Sequence, residues 1–140
     1  MHDNGLLWAH MPGVSLSWMN TYSDGHPNTE RAGYHVETNA LWYNALRYAE
    51  EMESKYATNK GLADKYGRIA DRVAISFNDV FWNEERGMLA DHVDWNGQNL
   101  FVRPNQLYAC GLPYSPLSEE RQASILKVVK TELLTSRGIR

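Results

Sequence analysis

Apolar residues recur every three or four positions in three long segments of the chain, the spacing that places side chains on one face of an α-helix. These segments span residues 37–57, 61–82 and 118–135, and the first two are separated by a break at Asn59-Lys60-Gly61. The pattern therefore predicts three helices: a broad-striped inner helix over residues 37–57 and two amphipathic outer helices over residues 61–82 and 118–135. Their apolar faces are predicted to contain Leu41, Trp42, Ala45, Ala49, Met52 and Tyr56; Leu62, Tyr66, Ile69, Ala70, Val73, Phe77, Val80 and Phe81; and Ile125, Leu126, Val129 and Leu133.

A further helix, the third in chain order, is predicted over residues 104–112, where Leu107 to Leu112 is apolar nearly all round. Pro104 suits the first helical position and Pro113 ends the helix. Buried inner helices would thus alternate with amphipathic outer helices along the chain. This order predicts an all-α fold, a toroid of helical hairpins in which each hairpin needs neighbours to bury its inner face. We therefore expect exposed apolar inner helices and self-association through them.

Two long segments, residues 8–36 and 87–103, show no helical pattern. Met88 to Val93 is predicted to be extended, and the Asn-Gly pair that follows favours a turn. Long loops in compact domains are usually functional or disordered. Their tryptophans, mixed with Asp, Asn and Arg, suit sugar rings, which stack on aromatic faces while polar groups bind the hydroxyls. The predicted stacking residues are Trp8, Trp18 and Trp95.

Polar residues open two of the predicted helices. Glu37 and Asn39 begin the first helix, and Arg103 and Asn105 begin the third. We expect these two helix starts to lie side by side and to form a ligand-binding site. An alternative for Glu37 is a first-turn acid that stabilises the helix dipole, and an alternative for Arg103 is a surface ion pair.

Composition excludes several classes of function. The 140 residues, with a net charge of -3 and scattered Lys and Arg, predict one domain over residues 1–140 without a nucleic-acid footprint. Neither a membrane-length apolar run nor a signal peptide is visible in the sequence, so we expect no membrane partner and a cytoplasmic location. The single cysteine, Cys110, predicts no internal disulfide and an inert packing role.

The sequence also predicts a site without metal or cofactor. The five histidines lack metal-ligand spacing, and the chain has neither a Gly-rich phosphate loop nor a Gly-x-Ser-x-Gly elbow. The histidines are His2, His10, His26, His35 and His92.

Five blocks of sequence carry a family resemblance. In chain order they are "GLLWAHMPGVSLSWMN", "VETNALWYNALRYAEEM", "VFWNEERGMLADHVD", "VRPNQLYACGLP" and "KTELLTSRGIR". Together they resemble the C-terminal amylo-α-1,6-glucosidase domain of glycogen debranching enzymes. The resemblance implies an (α/α)6 toroid, of which this chain would form a partial piece of about four helices. It also implies inverting hydrolysis of α-1,6-linked glucose at the branch points of glycogen or a limit dextrin, without a metal or organic cofactor.

One position departs from the family pattern. Where the family reads Trp-Met-Asp, with the aspartate as general acid, this chain reads Trp18-Met19-Asn20. Inverting hydrolysis needs a protonated acid and a second carboxylate roughly 6.5–9.5 Å away. The resemblance implies that the second carboxylate lies beyond Arg140, so we expect this chain by itself to be inactive. Asp24 is the nearest alternative acid, although Asp before Gly is more often a turn residue.

Three functions remain open at the level of sequence. The first is a glycoside hydrolase of the glycogen-debranching type, with Asn20 at the acid position. The second is a non-catalytic relative that binds α-glucan. The third is a helical interaction scaffold that binds no sugar. Measuring hydrolysis after Asn20→Asp distinguishes the first two functions. Titration with glucan distinguishes both of them from the third, which predicts no binding.

Overall fold

The four predicted helices are present in the computed structural model, which describes residues 1–56 and 60–140. The predicted end of the first helix at residue 57 and the break at Asn59 lie outside the described residues. Within the described ranges, none of the helices has both the length and the apolar character that a membrane span requires. The helices are α1 (Val36–Tyr56), α2 (Lys60–Phe81), α3 (Tyr108–Gly111), which continues a 3-10 turn over Pro104–Leu107, and α4 (Glu119–Glu132).

The segments between the helices form β-structure, so the predicted all-α toroid is wrong. The fold is mixed, with 47% of residues in helix and 17% in strand. The strands are β1 (Trp8–Ala9), β2 (Tyr22–Ser23), β3 (His26–Pro27), β4 (Gly33–His35), β5 (Trp82–Asn83), β6 (Met88–Leu89), β7 (His92–Asp94), β8 (Gly97–Asn99), β9 (Leu134–Thr135) and β10 (Gly138–Ile139).

The largest sheet joins distant parts of the chain. It is antiparallel, in the order β1-β4-β7-β8, and the other strands form the hairpins β2-β3, β5-β6 and β9-β10. Each strand has only two or three residues, too few to produce a visible alternation of apolar and polar positions. Their backbone groups nevertheless need hydrogen-bond partners, and pairing between distant segments provides them.

Gly33 allows the close approach of β4 and β7. Its φ is +96°, and a Cβ at this position would lie 2.1 Å from the carbonyl oxygen of Val93. A side chain is therefore excluded by both the backbone conformation and the neighbouring strand. This contact places residue 31, just before β4, next to residue 91, just before β7.

The main core lies between α1, α2 and the segments that cover them. The predicted apolar face of α2 is confirmed at Ala70, Val73, Phe77 and Phe81, which are all fully buried. The predicted face of α1 is wrong for Leu41, Ala45, Met52 and Tyr56, which are exposed. The predicted face of α4 is wrong for Leu126, which is also exposed. Because apolar residues occur on both sides of α1, periodicity alone could not identify the side that meets α2. The buried residues of α1 are Val36, Glu37, Asn39, Ala40, Tyr43 and Leu46.

The third predicted helix is buried on one side only. Ala109 is fully buried, whereas Tyr108 and Gly111 are exposed. The expectation of a helix buried all round is therefore wrong. Its open side borders an apolar groove of about 430 Å³ lined by Pro104, Leu107, Tyr108, Gly111 and Leu112. Self-association through this surface stays a prediction.

Candidate functional site

A buried arginine connects the start of α1 to the end of the β6–β7 connection. Arg31 is only 3% exposed. Its two terminal nitrogens donate to Glu37, Nη1 to Oε1 at 2.6 Å and Nη2 to Oε2 at 2.8 Å. Nη2 also donates to the carbonyl oxygen of Asp91 at 2.8 Å. Its Nε lies 3.0 Å from Asp91 Oδ2 without the alignment of a hydrogen bond. Arg31 therefore ties two distant carboxylates together inside the protein.

Asp91 connects this network to Arg103 and Asn105, at the start of the 3-10 turn that leads into α3. Its buried carboxylate accepts a hydrogen bond from Asn105 Nδ2 at 2.8 Å and forms an ion pair with Arg103. Burial by itself raises the pKa of Asp91, but the hydrogen bond from His92 and the positive charges of Arg31 and Arg103 outweigh it. The pKa of Asp91 therefore lies below its usual value, and the ionised carboxylate holds Arg103 and Asn105 in place.

A cavity opens on the far side of these two residues. Asn105 uses its Oδ1 to accept a hydrogen bond from Trp18 Nε1 at 3.2 Å, while the Trp18 side chain is 60% exposed. The cavity measures about 410 Å³, within the range of about 300–1,000 Å³ that is typical of small-molecule sites. Its lining residues are Trp18, Met19, Val102, Arg103, Pro104, Asn105, Leu133 and Arg140. An exposed indole beside fixed polar groups can bind a ligand with both apolar and hydroxyl-bearing faces.

The sequence of the chain matches the amylo-alpha-1,6-glucosidase family over residues 1–140. The chain belongs to this family. The resemblance carried by the five sequence blocks is therefore confirmed. Membership identifies the chain as a glycosidase-type domain of glycogen debranching, with glucan as the class of substrate. No curated protein matches the chain.

Two of the residues predicted to bind substrate in this amylo-α-1,6-glucosidase-family chain lie behind the cavity wall. Glu37 is buried, and both of its oxygens accept hydrogen bonds from Arg31. Asn39 is fully buried; its Oδ1 accepts from the backbone N–H of Leu7, and its Nδ2 donates to the carbonyls of Leu7 and His35. These contacts support the site and the N-terminal segment. A direct role in substrate binding stays a prediction for both residues.

The other two predicted tryptophans form a separate aromatic cluster on the large sheet. The rings of Trp8 and Trp95 lie 6.1 Å apart, and neither lines the Trp18 cavity. His2 stacks on Trp8 at 5.6 Å, Tyr34 meets the edge of Trp8 at 4.9 Å, and His10 meets Trp95 at 4.9 Å. The structure thus brings Trp8 and Trp95 together but leaves Trp18 with Arg103 and Asn105.

The two candidate acid positions differ in their surroundings. Asn20 is exposed and directly follows Met19, whose sulfur accepts a contact from Asn105 Nδ2 at 3.5 Å. Asp24 lies in the turn of the β2-β3 hairpin with a φ of 50°. Asp and Asn tolerate this left-handed conformation better than most residues. Asn20 therefore follows a residue of the cavity wall, whereas Asp24 serves as a turn residue; a catalytic role for either stays a prediction.

Sequence reasoning missed Arg31 and Asp91, the two residues that join the site. Both lie in segments without helical periodicity, where charged residues are usually solvated. One available signal was the apolar run Met88-Leu89-Ala90 directly before Asp91. An acid that immediately follows a short buried run needs a charged partner when it is itself buried.

The remaining titratable groups do not form a metal centre in the described parts of the chain. No group of three or more His, Cys, Asp or Glu side chains there could hold a metal ion. The pKa of His35 is lowered, mainly by burial and to a smaller extent by the positive charge of Arg31. The neutral form of the imidazole is therefore favoured. Burial raises the pKa of the Cys110 thiol to about 11, so little reactive thiolate forms at neutral pH. The absence of a metal or cofactor from the reaction stays a prediction.

Proposed function

We propose that this chain belongs to a glycogen-debranching-type glycoside hydrolase and binds a glucosyl unit of an α-glucan in the Trp18 cavity, beside an altered acid position at Asn20. The observation that carries the proposal is the arrangement of Trp18 and Arg103 around Asn105. Trp18 is exposed but oriented by its hydrogen bond to Asn105, while Arg103 is held by Asp91. The family match over residues 1–140 gives the class of substrate.

The cavity offers the two kinds of contact that a sugar ring needs. The face of Trp18 can stack on the apolar C–H face of a glucosyl unit, and the guanidinium of Arg103 can donate to its hydroxyls. Both side chains are already fixed by protein contacts, so binding orders fewer groups. Asn105 lies between them; its Oδ1 accepts a hydrogen bond from Trp18 and its Nδ2 donates one to Asp91, the residue that also holds Arg103.

The proton-donor position accounts for the expected lack of turnover. Inverting hydrolysis requires a carboxylic acid that protonates the leaving oxygen, and the amide of Asn20 has no such proton. Asp91 is a poor substitute because its pKa lies below the usual value, so its carboxylate is ionised at neutral pH. Glu37 is occupied by Arg31 on both oxygens. We therefore expect this chain to bind α-glucan without cleaving it.

A non-catalytic glucan-binding relative is the second candidate. The observation that favours it is the amide at Asn20 beside a cavity that keeps an exposed tryptophan. The two candidates share the same binding step and differ in whether an acid at position 20 restores hydrolysis. The helical scaffold predicted as a third function requires no sugar at all.

Binding is tested by isothermal titration of the chain with maltose and with a branched limit dextrin. The wild type should bind both, and Trp18→Ala should weaken binding about tenfold, equivalent to roughly 1.4 kcal/mol. Tyr48→Ala is the matched control, because Tyr48 is an exposed aromatic residue on α1 outside the cavity lining. Absence of glucan binding by the wild type would overturn the proposal and favour the scaffold.

A further inference from the structure

A second cavity lies directly beside the Trp18 cavity. It measures about 490 Å³ and shares Val102 with its neighbour. Adjacent residues line the two cavities at other points as well, since Phe101 and Glu132 face the second cavity while Arg103 and Leu133 face the first. The lining of the second cavity is Arg86, Gln98, Asn99, Leu100, Phe101, Val102 and Glu132.

Phe101 gives this second cavity an aromatic surface. The side chain is 65% exposed, and its backbone N–H donates to Asn99 Oδ1 at 3.1 Å, which fixes the chain where β8 ends. The guanidinium of Arg103 lies 5.4 Å from the centre of the Phe101 ring. Arg103 therefore contacts the aromatic surface of one cavity while lining the other. A single exposed Phe is ordinary, but one beside polar side chains on a concave surface resembles a small-molecule site.

The polar groups around Phe101 carry balanced charge. Arg86 Nη2 lies 3.8 Å from Glu132 Oε1, and both side chains are partly exposed. The separation leaves each group able to make further hydrogen bonds to a ligand. Gln98 has a structural role instead. Its Nε2 donates hydrogen bonds to the carbonyl oxygens of Val80 and Trp82, and its Oε1 accepts one from Asn83 Nδ2. One cation and one anion beside an aromatic ring suit a neutral polyhydroxyl ligand better than a charged one.

We propose that the Phe101 cavity is a second saccharide subsite, which binds a further glucosyl unit of the same α-glucan chain next to the unit at Trp18. Phe101 stacks on the sugar, and Arg86 and Glu132 bind its hydroxyls. The inference rests on the proposed function, since it extends the glucan bound at Trp18 across Val102. On this proposal, Phe101 is the residue that makes the site bind long saccharides more tightly than short ones.

The test compares a short and a long saccharide. Titrations with glucose and maltoheptaose use the wild type, Phe101→Ala and Phe101→Trp. Glucose fills only the Trp18 cavity, so the wild type should bind maltoheptaose more tightly than glucose. Phe101→Ala should raise the Kd for maltoheptaose about tenfold, equivalent to roughly 1.4 kcal/mol, and leave the Kd for glucose unchanged. Phe101→Trp should keep the preference for the long saccharide, because it keeps an aromatic face. Unchanged melting temperatures control for folding.

The outcomes separate this inference from the proposed function. Wild-type binding of both saccharides with no effect of Phe101→Ala would overturn the second subsite alone. An equal loss for glucose and maltoheptaose would also overturn it, because Phe101 would then act through Arg103 on the first cavity. No binding of either saccharide by the wild type would overturn the proposed function and this inference together. A loss confined to maltoheptaose, while Trp18→Ala weakens both saccharides, supports both.

Discussion

Arg31 and Glu37 form a two-point ion pair inside the protein, with nitrogen–oxygen distances of 2.6 and 2.8 Å. The pair joins the segment before β4 to the first turn of α1. Arg31 also holds Asp91, and Asp91 holds Arg103 and Asn105 at the cavity. Burying such charges carries a desolvation penalty that only the complete set of partners offsets. The stability of the protein and the geometry of its cavity therefore depend on the same network.

Removing one charge of this pair should destabilise the protein strongly. Glu37→Gln keeps the size of the side chain but leaves Arg31 and Arg103 to share the single carboxylate of Asp91. The buried network then carries an uncompensated positive charge, so we expect a loss of about 3–5 kcal/mol in unfolding free energy. Urea denaturation followed by circular dichroism measures the loss. The control is Lys55→Ala, which removes the exposed ion pair with Glu51 and should barely move the midpoint. Equal losses of unfolding free energy in the two variants would contradict the claim that the buried ion pair matters more for stability than the exposed one.

Stability should decline on acidification in two steps. Burial and Arg31 lower the pKa of His35 from 6.5, so folding favours its neutral form, and this contribution is lost as pH falls from 6.5 through the folded pKa. The pKa of Asp91 is lowered from 3.8, so its contribution is complete above 3.8 and is lost as pH falls through its folded value. Urea denaturation across this range should show both declines.

The variant His35→Gln identifies the first step. It removes the titrating imidazole, so the decline that begins near pH 6.5 should shrink while the decline in the Asp91 range persists. A wild-type unfolding free energy that stays constant from neutral pH down to about pH 5 would exclude a lowered pKa at His35.

Substitution of Gly33 should cost more than substitution of Gly97, although both have a positive φ. Gly97 has a φ of +101° and open space around it, so Gly97→Ala should cost about 1–2 kcal/mol from backbone strain alone. Gly33→Ala adds a collision with the Val93 carbonyl, for which we expect roughly a further 1–3 kcal/mol. Thermal unfolding of both variants gives the comparison. Equal melting temperatures would show that β4 and β7 are not in the described close contact.

Restoring the acid should restore hydrolysis in a longer protein that contains this chain and the second family carboxylate. General acid catalysis contributes typically about 10²–10⁴-fold, so Asn20→Asp should increase the rate of glucose release by that order. Asp has nearly the shape of Asn, so affinity should change little. Glucose release from a branched limit dextrin measures the effect, with Asn96→Asp, a substitution at a loop asparagine outside the Trp18 cavity, as the control. Vigorous and equal turnover by wild type and Asn20→Asp would assign the acid to another residue, such as Asp24.

Local sequence patterns determined the helices and the family. The period of apolar residues located α1, α2 and α4, and it identified the buried face of α2 at Val73, Phe77 and Phe81. These features depend on residues that are neighbours along the chain, because side chains three or four positions apart share a helix face. The ordered sequence blocks also sufficed to identify the family.

Only the tertiary structure decided the sheet, the buried face of α1 and the network behind the cavity. The strands are two or three residues long and obtain their hydrogen bonds from distant segments, as Tyr34 does from Val93. Arg31 and Asp91 are 60 positions apart, so nothing local to either residue specifies their pairing. Whether a charged side chain is solvated or buried depends on which partners the fold brings to it, because burial without a partner is prohibitively unfavourable.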